Sequence, residues 1–361
     1  MNEQETRIRL QELGFDDWFA ARVDETLSAA HSLARVSAVD RGAYLIVNEA
    51  GELTAELAGK FRFYAGSPAD LPCVGDWAYV QYHNAGTLAV IHGILPRKTF
   101  LRRKSAGREV DFQMIAANID AAFIVQSCHY DFNLHRLDRY LVMANEGGIE
   151  PVLILTKTDL VTPEGLEKTV AAIRRAGITA GILTVSNATG AGLDEFRRLL
   201  ASGRTYCLLG SSGVGKTTLI NRLLGREALA TRATSHTGEG RHATSRRQLI
   251  VLEQGALLVD TPGMRELGML GTGAALADSF AEILDLSRGC RYADCSHSGE
   301  PGCAVRAAIE GGGLDADRYA SYVKLKKESE HHELSFVEKR KKDRDFGKFI
   351  KTAKKQLKDR K

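Results

Sequence analysis

The chain has 361 residues, of which 44% are hydrophobic and 26% are charged, and its formal net charge is +4. This length and composition predict a soluble protein of two or three domains. No run of 18 apolar residues occurs, and the charged segment Met1–Leu10 lacks a signal-peptide core, so we expect a cytoplasmic protein without a membrane segment. Six cysteines in that compartment argue against a disulfide framework. Three are expected to be buried thiols: Cys73, Cys128 and Cys207.

A helical extension is predicted at the start of the chain, over residues 1–33. Its apolar spacing indicates an amphipathic helix at residues 15–30, which Asp16 or Asp17 can cap. The apolar face consists of Phe19, Val23 and Leu27. We expect this face to pack against a neighbouring part of the protein.

Five short segments of alternating pattern predict an OB-type β-barrel that binds RNA, over residues 34–100. The strands are expected at residues 34–39, 43–48, 53–57, 76–82 and 87–95. Between the third and the fourth lies Lys60–Tyr64, where aromatic residues alternate with basic ones. This pattern is typical of segments that bind unpaired RNA, but a strand that buries Phe61 and Phe63 explains it equally well.

The connection that follows the barrel is basic. Its cations are Arg97, Lys98, Arg102, Arg103, Lys104 and Arg108. A solvated linker and a contact with nucleic-acid phosphates explain these charges equally well.

Alternating strands and helices over residues 108–267 predict a doubly wound α/β domain. Its six strands are expected at residues 121–125, 151–155, 185–188, 206–209, 247–253 and 256–260. Its helices are expected at residues 137–145, 164–176, 193–201 and 218–224. Together these elements make the complete inventory of such a domain.

A Walker A loop of the form G-x-x-x-x-G-K-[ST] lies between the fourth of these strands and the helix that follows it. Its glycines let backbone amides face a β-phosphate, Lys216 neutralises β and γ charge as a catalytic residue, and Thr217 can bind Mg²⁺. The residues expected to bind the nucleotide are Gly210, Ser211, Ser212, Gly213, Val214, Gly215, Lys216, Thr217 and Thr218. The register with a strand and a helix argues against a chance glycine-rich turn.

Two other strand ends indicate which nucleotide binds. The base motif consists of Thr156, Lys157, Thr158 and Asp159. The Asp159 carboxylate can accept hydrogen bonds from both N1–H and N2–H of guanine, and adenine does not offer these two donors together. Ser186 opens a loop at the end of the next strand that is suited to supporting the guanine O6 side. These residues predict GTP rather than ATP.

The last strand of the domain ends in a switch element, Asp260–Gly263. The Asp260 carboxylate can lie in the outer coordination shell of Mg²⁺, and Gly263 can reach the γ-phosphate. Met264 follows, at the position where many GTPases have the glutamine that orients the attacking water. We therefore expect slow intrinsic turnover.

A helical zinc-binding domain is predicted over residues 275–330, from the spacing C-x4-C-x-H-x5-C. Its candidate ligands are Cys290, Cys295, His297 and Cys303. Three thiolates and one imidazole complete a tetrahedral Zn²⁺ sphere without an open position, which indicates one structural ion. The alternative is three unrelated reduced cysteines near a histidine.

Residues 331–361 form a basic tail. Within it, Lys339–Lys361 contains twelve lysines or arginines against three aspartates. Such a block binds a polyanion, for which RNA is the preferred candidate, or serves only as a solubilising tail.

The order of the motifs is unusual, because the base motif precedes the Walker loop and the α/β domain is therefore circularly permuted. The chain resembles the circularly permuted ribosome small-subunit-dependent GTPase A (RsgA) family over nearly its whole length. The segments that carry the resemblance are residues 116–120, 156–159, 210–218, 240–242 and 260–263, together with the cysteine cluster. In two departures, Thr156 stands where many GTPases have Asn, which weakens a supporting contact, and Ala243 interrupts a usual threonine-rich run.

The resemblance implies a monomeric GTPase, with an OB-fold before the GTPase domain and a zinc domain after it. It also implies binding to the small ribosomal subunit and its rRNA, a role in late subunit maturation, and GTP hydrolysis stimulated by the subunit. Thr244 is the expected switch threonine that meets Mg²⁺, and His242 is the candidate for positioning water. The alternative is a nucleotide-gated RNA-binding module with incidental hydrolysis, which turnover with and without subunits distinguishes.

Overall fold

The computed structural model describes six ranges of the chain: residues 10–40, 43–104, 112–129, 132–225, 247–260 and 273–330. Within these ranges, no helix is long and apolar enough to cross a lipid bilayer. A β-barrel, an α/β sheet and a group of C-terminal helices follow one another along the chain.

The N-terminal extension contains two short helices, α1 (Asp17–Ala20) and α2 (Glu25–Ser28). The single helix expected over residues 15–30 is wrong. Asp24 has extended backbone, and its carboxylate caps α2 by accepting a hydrogen bond from Thr26 N at 2.8 Å. An N-cap residue with extended backbone cannot continue a helix, so the chain turns at this point. Phe19 is buried and packs against Trp77 of the barrel, as expected for a packing extension.

A five-stranded β-barrel with OB topology follows, as predicted. Its strands are β1 (Ser32–Val39), β2 (Tyr44–Asn48), β3 (Gly51–Leu57), β4 (Trp77–His83) and β5 (Leu88–Ile94). They pair in the order β1-β2-β3-β5-β4, and β4 also pairs with β1, which closes the barrel. The β3–β5 pair is parallel and the others are antiparallel. One helix, α3 (Gly59–Tyr64), lies between β3 and β4.

A β-hairpin formed by β6 (Phe100–Lys104) and β7 (Phe112–Ala117) occupies the place of the predicted basic connection. Three of the cations form ion pairs at 2.5–2.8 Å: Arg97 with Asp76, Lys98 with Asp16, and Arg102 with Glu146. The carboxylates of Asp76 and Glu146 are 0% and 5% exposed. Arg97 and Arg102 are therefore structural ion-pair partners, and neither the solvated linker nor the phosphate contact describes them.

The α/β sheet contains six strands, five of which overlap the predicted ones; the strand expected at residues 185–188 is wrong, because the strand at this place ends at Thr184 and residues 187–189 form a turn. The six strands are β8 (Ala121–Ser127), β9 (Glu150–Thr156), β10 (Gly181–Thr184), β11 (Thr205–Leu209), β12 (Gln248–Val251) and β13 (Leu257–Asp260). Their order is β10-β9-β8-β11-β13-β12, and all neighbours are parallel except β12 and β13. The carboxyl ends of β8, β9, β11 and β13 consequently meet at one edge of the sheet, which is where ligands of open α/β sheets bind.

Helices cover both faces of this sheet. They are α4 (Leu134–Glu146), α5 (Pro163–Arg175), α6 (Leu193–Arg198) and α7 (Lys216–Leu223). The apolar sides of α4 and α5 belong to one buried cluster, which includes Leu141 and Ile173. Those of α6 and α7 belong to another, which includes Phe196 and Leu219. This is the layering of a doubly wound domain.

The barrel and the α/β domain share one continuous sheet. Ala38 of β1 pairs with Gln248 of β12 in antiparallel fashion, so the two sheets join into eleven strands. The domain boundary thus crosses a hydrogen-bonded strand pair.

The C-terminal part is helical. It contains α8 (Gly273–Ser279), α9 (Ala281–Ser287), α10 (Ala304–Glu310) and α11, which includes residues 316–330. Its buried cluster includes Phe280, Ile283 and Val305, and also Val142 of α4. The C-terminal helices therefore pack directly on the α/β domain.

Candidate nucleotide and metal sites

The Walker loop connects β11 to α7 and lies close to two neighbouring segments. Gly210 has a φ of +152°, and a Cβ at this position would lie 2.3 Å from the carbonyl oxygen of Val125. Gly215 has a φ of +96°, and a Cβ there would lie 2.8 Å from Asn187 Nδ2. The positive φ favours glycine at both positions, and at Gly210 the carbonyl oxygen of Val125 also leaves no space for a Cβ. The sequence pattern thus reflects the close packing of the loop against the ends of neighbouring strands.

Lys216 is the first residue of α7, and its side chain lies across the Walker loop. The Nζ donates hydrogen bonds to the carbonyl oxygens of Gly210 at 2.7 Å and of Ser211 at 2.6 Å. The ammonium is thereby fixed at the concave side on which a Walker loop binds phosphates. The other predicted loop residues are Ser212, Gly213 and Val214, and those in the first turn of α7 are Thr217 and Thr218.

Thr156 connects the base motif to the Walker loop. Its side chain is fully buried at the end of β9. Its Oγ1 lies 2.6 Å from the carbonyl oxygen of Val214 and 3.2 Å from that of Gln126. The hydroxyl donates to the nearer acceptor, so a direct contact between the two motifs exists although threonine replaces the usual asparagine.

Asp159 lies just beyond Lys157, which has a left-handed φ of 58°, and its carboxylate is oriented by Ser186. Ser186 Oγ donates to Asp159 Oδ1 at 2.5 Å and accepts from Thr189 N at 3.1 Å. Ser186 is 1% exposed, whereas Asp159 is exposed. A buried hydroxyl therefore fixes one oxygen of a carboxylate that otherwise faces solvent. The predicted base-recognition residues Asp159 and Ser186 are therefore in contact. Thr158, which lies between Lys157 and Asp159 in sequence, is half-buried.

Asp260 ends β13 beside the Walker strand. Burial raises the pKa of its carboxyl to about 6, and the nearby charge of Lys216 opposes this rise. A divalent cation at this position would favour the ionised form further. Thr217 offers a hydroxyl of the kind that binds Mg²⁺ in Walker sites. The predicted residues Gly263, His242 and Thr244 lie outside the described residues.

The structure brings the four predicted metal ligands together. Their ligand atoms all lie within 4.8 Å of one another. His297 Nδ1 lies 3.5 Å from Cys290 Sγ and 3.4 Å from Cys303 Sγ, and the two sulfurs are 4.0 Å apart. Bonds of ~2.3 Å to sulfur and ~2.0–2.1 Å to nitrogen give tetrahedral edges of roughly 3.5–3.8 Å, so the set fits a metal such as zinc. Four convergent ligands argue against unrelated cysteines.

The loop around this cluster suits metal binding in two further ways. His297 has a left-handed φ of 60°, and its ring contacts Cys290, which precedes it in sequence, and Cys303, which follows it. Burial disfavours ionisation of Cys290, but the N–H groups of Val305 and Ala304 and the thiols of Cys295 and Cys303 together lower the pKa of its thiol. The thiolate is the form that a metal requires.

The segment Lys60–Tyr64 lies in helix α3, not in a strand. Residues 61 and 63 therefore point to different sides, because successive helical residues are about 100° apart, whereas a strand would place them on one face. Phe61 packs against the barrel core. Phe63 and Tyr64 are 82% and 71% exposed, and their ring centroids are 5.4 Å apart. The strand explanation is wrong, and an exposed aromatic pair beside two exposed cations remains.

Two residues that contact the Walker loop do not belong to any recognised sequence motif. Arg136 NH1 donates to Ser211 Oγ of the Walker loop at 2.6 Å. Asn187 Nδ2 donates to Gly215 O at 3.2 Å. Both contacts join segments that are distant in sequence, so only the sheet topology reveals them. Asn187 directly follows Ser186, which is a weak signal, and Arg136 has none.

The permuted order of the base motif and the Walker loop along one doubly wound sheet defines the class of protein, which is a circularly permuted GTPase. The RsgA GTPase family matches residues 94–270. The chain belongs to this family, and the expectation drawn from its motifs is confirmed.

Relatives support this membership over most of the chain. The small ribosomal subunit biogenesis GTPase RsgA 2 of Lactiplantibacillus plantarum is 43% identical over 331 residues, covering 91% of this chain and 92% of that protein. The RsgA protein of Opitutus terrae is 42% identical and covers 89% and 90%. The structure of YjeQ from Thermotoga maritima has a TM-score of 0.63 and 27% identity, covering 82% of this chain and 98% of that one. YloQ, described as a circularly permuted GTPase, has a TM-score of 0.59.

Proposed function

We propose that this chain hydrolyses GTP to GDP and phosphate in the late maturation of the small ribosomal subunit, and that the subunit stimulates the reaction. The observation that carries the proposal is the hydrogen bond between Thr156 and Val214. It joins the segment bearing Asp159 to the phosphate-binding loop, so one nucleotide can contact both. Relatives named small ribosomal subunit biogenesis GTPases support the cellular role. On this proposal the chain acts as a monomer in the cytoplasm.

The proposed site divides the nucleotide between two motifs. Asp159 accepts hydrogen bonds from guanine, and the Walker loop surrounds the phosphates with its backbone amides. Lys216 neutralises charge on the β and γ oxygens. Mg²⁺, bound by Thr217 with Asp260 in its outer shell, would shield the phosphate charge when present. Gly263 would donate to the γ-phosphate, Thr244 would meet the ion, and His242 would orient water.

The cysteine cluster is proposed to bind one structural Zn²⁺. The four ligands Cys290, Cys295, His297 and Cys303 complete a tetrahedral sphere and leave no position for a substrate. Its role is therefore to stabilise the C-terminal helices, which pack on α4.

Small ribosomal subunits are expected to raise the turnover of this chain strongly. Met264 cannot orient water, so hydrolysis by the free protein is expected to be slow. A catalytic group supplied in trans is worth ~10³–10⁵ in rate, and the ordering of a group already present is worth less, so we expect a rise below ~10³-fold. His242→Ala is expected to remove most of this rise while leaving GTP affinity nearly unchanged. Phosphate release at saturating GTP, with and without small subunits, measures both effects.

Two controls make this measurement decisive. Large subunits should give no stimulation, and excess ATP should not displace bound GTP. Equal turnover with and without small subunits would favour the alternative, an RNA-binding module with incidental hydrolysis. Stimulation that survives His242→Ala would move the water-orienting group to another residue or to the ribosome.

The exposed face of α3 is the proposed contact with unpaired rRNA. Phe63 and Tyr64 offer two aromatic surfaces for stacking, and Lys60 and Arg62 place positive charge beside them. Phe61 fixes the helix to the barrel, so the aromatic pair is presented by a structured element. Base stacking and phosphate contact are the two components of single-strand binding.

Separate substitutions on α3 are expected to separate these two components. Replacing both Phe63 and Tyr64 by Ala should weaken binding to an unpaired RNA oligonucleotide, since one stacked base is worth ~1–3 kcal/mol, and leave the salt dependence unchanged. Lys60→Gln should instead reduce the slope of log affinity against log salt by about 0.7. Fluorescence anisotropy over a salt series measures both quantities. Tyr292→Ala, which removes an exposed aromatic ring from another part of the chain, is the matched control, and equal losses in it would contradict the assignment.

A further inference from the structure

We propose that Arg136 is a positioning residue for GTP hydrolysis and that it acts through Ser211 on Lys216. Its guanidinium donates to Ser211 Oγ at 2.6 Å. The carbonyl oxygen of the same Ser211 accepts from Lys216 Nζ at 2.6 Å. One residue of the Walker loop is thus bound on its side chain by Arg136 and on its backbone by the phosphate-binding lysine. The inference rests on the proposed GTP site.

Arg136 is itself placed by a network at the start of α4. Asn133 caps the helix, and its Oδ1 accepts from Arg136 N at 3.0 Å. The backbone of Asn133 is bound on both sides by the buried amide of Gln126, which donates to its carbonyl oxygen at 2.9 Å and accepts from its N–H at 3.0 Å. Gln126 belongs to β8, the strand next to the Walker strand. The guanidinium therefore extends from a fixed base, and its contact with Ser211 follows from the fold.

The charge of Arg136 is in an unfavourable place for helix stability. The first turn of a helix favours carboxylates, because its free N–H groups and its macrodipole are positive there. Arg136 is the third residue of a thirteen-residue helix and carries the opposite sign. Helix formation thus does not account for arginine at this position. A positive charge beside a phosphate-binding loop does account for it, because it attracts the negative charge of a bound phosphate.

Helix α4 also contacts the C-terminal helices, a short distance from Arg136. Asp138 forms a buried ion pair with Arg318 and accepts a hydrogen bond from Ser321 Oγ at 2.7 Å. Arg139 donates from NH2 to Glu328 Oε1 at 2.7 Å and from NH1 to Glu328 Oε2 at 2.9 Å. One rigid helix is therefore bound to the C-terminal part through its middle and to the Walker loop through its first turn.

The test compares two arginines of the same helix. Arg136→Met is expected to lower the intrinsic kcat for GTP about 10-fold, since a hydrogen bond from a charged group is lost and Lys216 loses its support. Ser211→Ala should have a similar effect, and the double variant should be no slower than either single one. Arg136→Lys, which keeps the charge but not the planar geometry, should recover part of the rate. Arg139→Met, whose partner is Glu328, should leave the intrinsic kcat unchanged.

The non-additive effect of the two substitutions on kcat distinguishes positioning from a general loss of stability. A general loss of stability would lower the melting temperature, and the reductions in kcat of the single variants would multiply in the double variant. Unchanged turnover in Arg136→Met, or multiplied losses in the double variant, would overturn the inference. Ser211→Ala carries the same test if Arg136→Met does not fold. Failure of the unsubstituted protein to hydrolyse GTP would contradict the proposed function instead, so the two failures are distinguishable.

Discussion

Removal of the metal from the cysteine cluster is expected to unfold residues 273–330 while the α/β domain stays folded. The buried cluster of this part is small, and it includes the ligand Cys303 and Val142, which belongs to α4. Structural zinc contributes ~10–16 kcal/mol of apparent binding energy in small modules, against ~5–15 kcal/mol for the stability of a whole domain. We therefore expect the proposed zinc ion to decide whether these helices fold.

Hydrogen exchange before and after chelation checks this expectation. Amide protection should be lost in α9 and α10 and retained in the parallel strands β8, β9 and β11. Cys295→Ser should reproduce the loss and lower the zinc content. Ser298→Ala changes an exposed side chain of the same loop that is not a ligand, and it should behave like the unsubstituted protein. Native protein without zinc, or unchanged protection after chelation, would contradict the prediction.

Asp159→Asn is expected to lower GTP affinity by ~10²–10⁴-fold, with the fold intact. In the proposed site, Asp159 accepts two charge-assisted hydrogen bonds from guanine, each worth ~1.5–3 kcal/mol; in the variant the charge is lost from one of them and the other is replaced by two opposed donors. The substituted amide retains an acceptor for N1–H but places a donor opposite the guanine amino group. Xanthine carries an oxygen at that position, so the variant should gain affinity for xanthosine triphosphate. Titration of the variant and of the unsubstituted protein with GTP and with xanthosine triphosphate measures the change in relative affinity.

The matched control for this change is Asp194→Asn. Asp194 is another aspartate of the same domain, with a side chain that is 89% exposed and pairs with Arg197 on the surface. This control should bind GTP as before, because a surface ion pair contributes little. If Asp159→Asn bound GTP with unchanged affinity, the assignment of the base site would be wrong.

The fold was largely predictable because its strands and helices follow simple hydrophobic periods. All strands of the barrel and five of the six strands of the α/β sheet overlap their expected positions, whereas β10 ends at Thr184, before the expected range 185–188. The wrong predictions occur where the interactions of a polar group outweigh the hydrophobic periodicity. Asp24 starts a second helix by capping it, although the apolar spacing continues through the turn. The basic residues around the hairpin obtain carboxylate partners from distant segments, and local sequence carries no sign of those partners.

The candidate site was predictable where a motif states its own chemistry. The Walker loop, the base motif and the candidate metal ligands each place several reactive groups within a few residues of one another. Residues that connect two motifs escape this logic. Thr156 suggests a weakened contact until Val214 is seen beside it, and Arg136 lies 75 residues from the Ser211 that it contacts. Such pairs depend on which strands become neighbours.

The β1–β12 strand pair, which joins the barrel to the α/β domain, constrains the order in which the protein can fold during synthesis. All five barrel strands lie within residues 32–94, so the barrel can close soon after it leaves the ribosome. The edge of β1 at Ala38 nevertheless remains unpaired until Gln248, about 210 residues later in the chain, has been synthesised. At ~5–20 residues per second this interval is roughly 10–40 s. An unpaired strand edge is a site of mispairing between chains, so aggregation of nascent or truncated chains is expected to begin at β1.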